Sequence, residues 1–318
     1  MKLHLDHPAF ETLLLSESES SGIRADILEK DYYVTLILSE LANKSDQAFA
    51  YFKGGTALYK AIGSIRRFSE DIDLTVSIDG CTNSQAKKRI ERATLKYSCL
   101  PRNKEDEQGT NTKGSITSIY QYKSVVSVDQ DDELQRFERV KIEATSFTVS
   151  EPHEPMLITP IILDIATDEQ KEILKNQYDI CAFKIETIKL ERIFIDKVFA
   201  AEFYFLRKMY FDMAKHLYDI VVLLKNERIQ EALHNKELLG YLIDLKRREE
   251  SQRIGSDLNK KSIGQFSYLL VGMEDEELIR QFTQMQKIYV FNNEYLIPKE
   301  ELQNGINELR KVFTRRAN

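Results

Sequence analysis

Cysteine is scarce. Cys81, Cys99 and Cys181 are scattered through 318 residues, and none stands at the C-x-x-C spacing of a metal or redox motif. That excludes a disulfide framework and reads as reduced thiols of a cytoplasmic protein. Proline and glycine are sparse, at 6 and 12 residues, so long irregular stretches should be few. No apolar run approaches the ~18 residues that span a bilayer. The N-terminal run MKLHLDHPAFETLLL is broken early by acidic residues, so neither a secretion signal nor a membrane anchor is expected. An excess of positive charge is also missing. Lys and Arg number 45 against 51 Asp and Glu, a net charge of -6. This argues against a surface that coats nucleic acid and leaves room for a local basic groove.

What is present suffices for a sizeable core. Apolar residues make up 42% and charged residues 30%, within one large domain or two packed lobes. Residues 24–43 carry apolar side chains at helical spacing: Ile27, Val34, Ile37, Leu38 and Leu41. The short run 50–52 ends at Gly54-Gly55, a strand-to-turn signal, and 56–62 can begin a helix. Residues 71–77 alternate as a strand, and 83–96 read as a charged amphipathic helix. Strands are expected over 115–128 and 139–149, with further short apolar segments around 156–168 and 178–185. From about residue 190 the pattern turns helical, over 190–207, 209–225 and most of the remainder. The expectation is an α+β protein, with an α/β lobe over 1–185 that includes the N-terminal helices and a helical lobe over 186–318.

The chemistry concentrates in KGGTALYKAIGSIRRFSEDIDLTV, residues 53–76. Asp71 and Asp73 alternate with Ile72 and Leu74, so both carboxylates point to one face of a strand. Like charges that close repel unless a cation sits between them. Hard oxygen ligands suit Mg²⁺ or Mn²⁺, with substrate phosphates completing the shell. Gly54 and Gly55 let backbone approach a phosphate, Thr56 can add a hydroxyl, and the following helix N-terminus offers N–H donors. Lys53, Arg67 and Ser69 join the nucleotide-binding set; a guanidinium fork suits a phosphate at Arg67. A phosphate placed on Ser69 would set negative charge beside the acidic pair and repel a triphosphate. Two-metal phosphoryl transfer needs a third carboxylate. Glu143 of RVKIEATSF, on the polar face of another strand, is the candidate; it also reads as an ordinary surface glutamate.

KGGTAL followed by RFSEDIDL resembles the AbiEii/AbiGii toxin family of nucleotidyltransferase-like proteins, and LEKDYYVTLIL (28–38) resembles the helix preceding this motif. The resemblance implies a polymerase-β-like nucleotidyltransferase lobe whose mixed sheet is flanked by helices, followed by a helical C-terminal lobe. It implies the toxin of a toxin–antitoxin or abortive-infection system that transfers NMP from an NTP, with the tRNA 3′ end as acceptor. It further implies a cognate antitoxin that acts without stable binding, or with only weak binding. Gly55 and Thr56 match the phosphate-gripping turn, Asp71 and Asp73 the metal-binding pair, and Glu143 the third acid. The family's TxxxK motif falls on Ile193 and Lys197, and its RDxxD motif on Lys215, His216 and Asp219, so Lys197 and Asp219 are retained while the other positions depart. Lys197 reads as snorkelling or as aimed at a triphosphate. Asp219 reads as orienting Lys197 or as a helix salt bridge, and His216 as structural.

Two other readings stay open. A degenerate nucleotide-binding module would bind without transfer. A nucleotidyltransferase acting on a protein or small-molecule hydroxyl would share every motif, because the acceptor is not written in them. ESQRIGSDLNKKS and TRRAN, towards the end of the sequence, read either as basic RNA contacts or as solvated surface.

Overall fold

The computed structural model describes residues 1–44, 48–63, 66–105, 114–128, 136–252 and 257–314. Parts of the two C-terminal basic stretches, 253–256 and 315–318, lie outside the described residues. The chain forms two compact units. One comprises Met1–Ala61 and Phe68–Ile188, the other Ile62–Arg67 and Lys189–Asn318.

The first unit opens with helices α1 (His7–Ser21) and α2 (Ala25–Ala42), then strand β1 (Ala50–Lys53), the short helix α3 (Gly54–Ala57) and strand β2 (Asp71–Val76). Helix α4 (Asn83–Thr94) and strands β3 (Arg102–Asn103), β4 (Ser115–Gln121), β5 (Arg139–Thr145) and β6 (His153–Ile158) follow. Helices α5 (Ile161–Ile165) and α6 (Asp168–Tyr178) lead to strand β7 (Phe183–Ile188). The seven strands make one sheet in the order β3-β4-β5-β2-β1-β7-β6. It is mixed: β2 runs parallel to β5 and β1 to β7, and the other pairs are antiparallel.

Burial follows the alternation. Ile72, Leu74 and Val76 of β2 and Val140, Ile142 and Ala144 of β5 are fully buried. Helix α4 packs against β2, β4 and β5. Ser118 Oγ and Tyr120 OH, on the same face as Ile142 and Val140, both donate to Thr94 O of α4 at 2.8 Å. Each fully buried aliphatic side chain contributes about 1.5–3 kcal/mol. A one-residue slip of β2 would send Asp71 and Asp73 into this core, so the apolar face fixes the register that presents the carboxylates.

Helix α2 is buried almost all round, and its three consecutive charged residues lie inside. Glu29 accepts from Ser124 Oγ and from Val125 N (2.8 Å). Lys30 donates to the carbonyls of Arg136 (2.8 Å) and Arg139. Asp31 accepts from Tyr59 OH (2.8 Å), Lys60 Nζ (2.6 Å) and Ile161 N (2.7 Å). The helix thus ties down three separate segments of the sheet unit with charge-assisted bonds. This explains why β4 ends at Gln121 although the sequence predicts strand to 128. Ser124 and Val125 are held by the Glu29 carboxylate instead of a ladder. Strand β5, expected to run to 149, stops at Thr145, and the bond from Ser146 N to Gly114 O (2.7 Å) adds one further rung in the β4–β5 register. The helix expected over 56–62 starts earlier, at Gly54, and widens into a π turn over Leu58–Ile62.

The second unit carries helices α7 (Leu190–Leu206), α8 (Tyr210–Leu223), α9 (Glu227–His234), α10 (Lys236–Gln252), α11 (Ser267–Val271), α12 (Glu276–Tyr289) and α13 (Lys299–Thr314). Helix α8 packs against α7, α12 and α13. Phe194, Val198 and Ala201 of α7 and Met213, Leu217 and Ile220 of α8 are buried in its core. Among the described residues no helix is long and apolar enough to cross a membrane.

Candidate active site

The site is built on the polar face of β2. Strand β1 ends at Lys53, and Gly54 follows with φ +81°, a conformation that side chains with a Cβ disfavour. A Cβ at Gly54 would collide with the Asp73 carboxylate, coming within 2.9 Å of its Cγ. The glycine therefore serves two needs at once: a left-handed backbone and room for Asp73 to lie directly over it. Thr56, expected to face a phosphate, is fully buried. Its Oγ1 stands 2.5 Å from Asp71 O and 3.0 Å from Ser69 Oγ, which pins the start of β2 to the glycine turn.

Register then assembles the face. Lys53 pairs with Asp73 across β1–β2, Asp73 with Glu143 across β2–β5, and Glu143 with Thr117 across β5–β4. Paired residues point the same way, so Lys53, Asp73, Glu143 and Thr117 form one row. Asp71 sits beside Lys141 in the next row. Beyond Asp73, the hydroxyls of Thr75 and Thr145 lie 2.7 and 2.9 Å from Thr148 Oγ1, to which Lys53 Nζ donates at 3.3 Å.

Lys141 was not among the residues that motif reasoning selects. Its ammonium contacts Asp71 Oδ2 at 2.8 Å and Glu143 Oε1 at 2.9 Å. Partial burial works against its charge, but the carboxylates of Asp71 and Glu143 outweigh that and hold Lys141 above the ordinary lysine range. The signal was available in RVKIEATSF, where Lys141 shares the polar face with Glu143. The choice of Asp71 as its partner depends on the β2–β5 register, which is not local.

The donor set suits a divalent cation. Asp71, Asp73 and Glu143 offer hard oxygens on one face, and a positive group already sits between two of them. Among the described residues no three acidic, His or Cys side chains gather closely enough to hold an ion by themselves. Mg²⁺ commonly takes one or two carboxylates and completes its shell with water and substrate phosphates, so the pair on β2 is the part the protein must supply.

The remaining predicted residues lie in the second unit. Arg67 does not present a free fork to a phosphate. It is buried, and its Nε and Nη2 grip Asp219 Oδ1 and Oδ2, both at 2.7 Å. Lys197 Nζ meets Asp219 Oδ2 at 2.9 Å. Burial alone would raise the Asp219 pKa, but Arg67 and then Lys197 hold it down at about 2. His216 stacks on Tyr204, with ring centroids 5.2 Å apart. Burial and then the Lys197 charge keep its pKa well below the usual value, so it is a neutral ring rather than a cation.

A glycine turn, a strand bearing two carboxylates on its open face, and a mixed sheet define a nucleotidyl transferase class of protein. Residues 36–295 match the family described as nucleotidyl transferase AbiEii toxin, type IV TA system. The chain belongs to that family: it is the nucleotidyltransferase toxin of a type IV toxin–antitoxin system. No curated protein matches it. Among solved structures it is similar to MenT4, a nucleotidyltransferase toxin from Mycobacterium tuberculosis H37Rv. That likeness has 14% identity and a TM-score of 0.40 over 94% of this chain and 99% of the other, too remote to carry an argument.

Proposed function

We propose that this toxin transfers a nucleoside monophosphate from an NTP to an acceptor hydroxyl at the tRNA 3′ end, in the cytoplasm and with Mg²⁺ or Mn²⁺. The observation that supports this most is the placement of Asp71 and Asp73 on one accessible face of β2, with Asp73 lying over Gly54. The acceptor hydroxyl gives up its proton to solvent and its oxygen bonds the α-phosphorus as the bond from that phosphorus to the β-phosphate oxygen breaks, and pyrophosphate leaves with that electron pair. Asp71, Asp73 and Glu143 would hold the divalent ion, which favours the deprotonated acceptor and offsets charge on the leaving pyrophosphate. Gly54 and Gly55 leave the backbone bare for close approach of phosphate, and Lys53, next to Asp73, adds positive charge to the same face. Ser69, near the Thr56 hydroxyl, completes this nucleotide-binding segment. Lys197 and Asp219 enter as nucleotide-binding and catalytic residues by their match to the family motif, with Asp219 orienting the Lys197 ammonium. Arg67 acts through Asp219 rather than on phosphate. The cognate antitoxin is taken to act without stable binding, or with only weak binding, to the toxin.

The experiment is incubation of wild type and Asp73→Asn with each labelled NTP and total RNA, followed by sizing of the labelled species. The expected result is label in the tRNA band for wild type and none for Asp73→Asn, which stays folded by circular dichroism. Equal labelling by the two proteins would reject the metal role of β2. Label in protein or in a small molecule would reject the RNA acceptor.

A further inference from the structure

The row of acids on β2 and β5 contains its own cation. Parallel pairing sets Asp71 beside Lys141 and Asp73 beside Glu143, so three carboxylates share one face of the sheet with Lys141. The Lys141 ammonium bridges Asp71 Oδ2 (2.8 Å) and Glu143 Oε1 (2.9 Å), one from each strand. These are two of the three oxygen donors assigned above to the divalent ion. A lysine ammonium and a divalent cation cannot occupy one gap between the same oxygens.

Lys141 is also built to leave. The side chains of Lys30 and Lys60 in this unit are buried and bound to carbonyl or carboxylate oxygens, so neither moves without disrupting the fold. The Lys141 side chain keeps 35% of its surface exposed. It is a compact charge on a flexible four-carbon stem, and partly exposed ion pairs of this kind are weak. Swinging it off the acids requires rotation about side-chain bonds only.

We infer that Lys141 is a resident counter-ion that competes with the catalytic metal for Asp71 and Glu143, so that metal loading is opposed until the NTP phosphates offer the ammonium another anion. The inference rests on the proposed metal role of β2. Its consequence is a positive coupling between metal and nucleotide: each binds more tightly when the other is present, and by the same factor. A toxin so built holds little metal without its substrate, while the lysine keeps the acids from repelling one another.

The test is Mn²⁺ binding to the nucleotide-free protein, read by electron paramagnetic resonance of free Mn²⁺, for wild type, Lys141→Met, Lys53→Met and Asp73→Asn. Lys141→Met is expected to bind Mn²⁺ about fivefold more tightly than wild type, as removal of two weak ion pairs implies. An added non-hydrolysable NTP analogue should then raise its Mn²⁺ affinity by a smaller factor than in wild type. If Lys141→Met does not fold, Lys141→Gln serves in its place. Unchanged or weaker Mn²⁺ binding in the Lys141 variant overturns the assignment. An equal gain in Lys53→Met also overturns it, because net charge on the face would then explain the effect without displacement. If Asp73→Asn binds Mn²⁺ as wild type does, the metal reading of β2 fails instead.

Discussion

At the scale of single residues, the site depends on an atom that is missing. Gly54 combines φ +81° with contact to the Asp73 carboxylate at the point where a Cβ would project. Gly54→Ala therefore faces two penalties, a left-handed backbone for an L-residue and a displaced aspartate. The backbone term alone is about 1–3 kcal/mol. The expected outcome is an unfolding free energy lower by that amount, read from urea denaturation, with loss of nucleotide transfer that persists when the variant is assayed well below its unfolding transition. Retained transfer at wild-type stability would show that the turn tolerates a side chain and that Asp73 does not need its present position. Thr56 teaches the complementary lesson. A hydroxyl after a double glycine reads as a phosphate ligand, yet it is buried against Asp71 O. Sequence reveals that a polar group is there, but not which way it turns.

At the scale of the element, β2 and α2 differ sharply in legibility. The alternation of Asp71, Ile72, Asp73 and Leu74 sufficed to place two carboxylates on one face, because strand geometry alone decides that outcome. In α2 the charged run Glu29-Lys30-Asp31 carries no local sign of its partners, and tertiary contacts bury all three residues. Glu29 gives this arrangement a pH signature. Burial raises its carboxyl to about 7, against the opposing bonds from Ser124 and Val125. A folded-state pKa above the unfolded value means that the folded protein binds the extra proton. Stability from Glu29 is therefore fully present below about 4.5 and is lost as pH rises through about 7. The shift corresponds to roughly 3 kcal/mol. Wild type minus Glu29→Gln, compared by urea denaturation at pH 4.5 and pH 8, should reveal a difference of that order and sign. A pH-independent difference would mean that Glu29 titrates normally.

At the scale of the whole molecule, the chain builds its helical unit from two distant pieces, Ile62–Arg67 and Lys189–Asn318. Arg67 brings the first piece to α8 through its fork on Asp219, a partner 152 residues away. The antiparallel bridge to Val290 and the bond from Phe291 N to Arg66 O (3.1 Å) hold the same segment to the end of α12. None of this was readable from RRFSEDIDL, where Arg67 reads as a phosphate ligand because it precedes the acidic pair. Its partner is fixed by how the helical unit packs. The Asp219 carboxylate satisfies two buried cations, Arg67 and Lys197, which are 3% and 6% exposed. Removing the carboxylate leaves both charges uncompensated, and breaking a buried pair in this way costs about 3–5 kcal/mol. Asp219→Asn should therefore destabilise the helical unit by that amount, seen as faster hydrogen exchange in α8 and α12. Arg67→Met with Asp219→Asn should recover part of the loss, because one buried charge goes with its partner. The acid limb provides a separate check. With Asp219 held at about 2, its stabilising effect is constant above about pH 4 and is lost as pH falls towards 2. In Asp219→Asn the acid unfolding of this unit should be correspondingly shallower. If Asp219→Asn unfolds in acid as wild type does, and with equal stability at neutral pH, the cluster contributes nothing to the fold and Asp219 is held for catalysis alone.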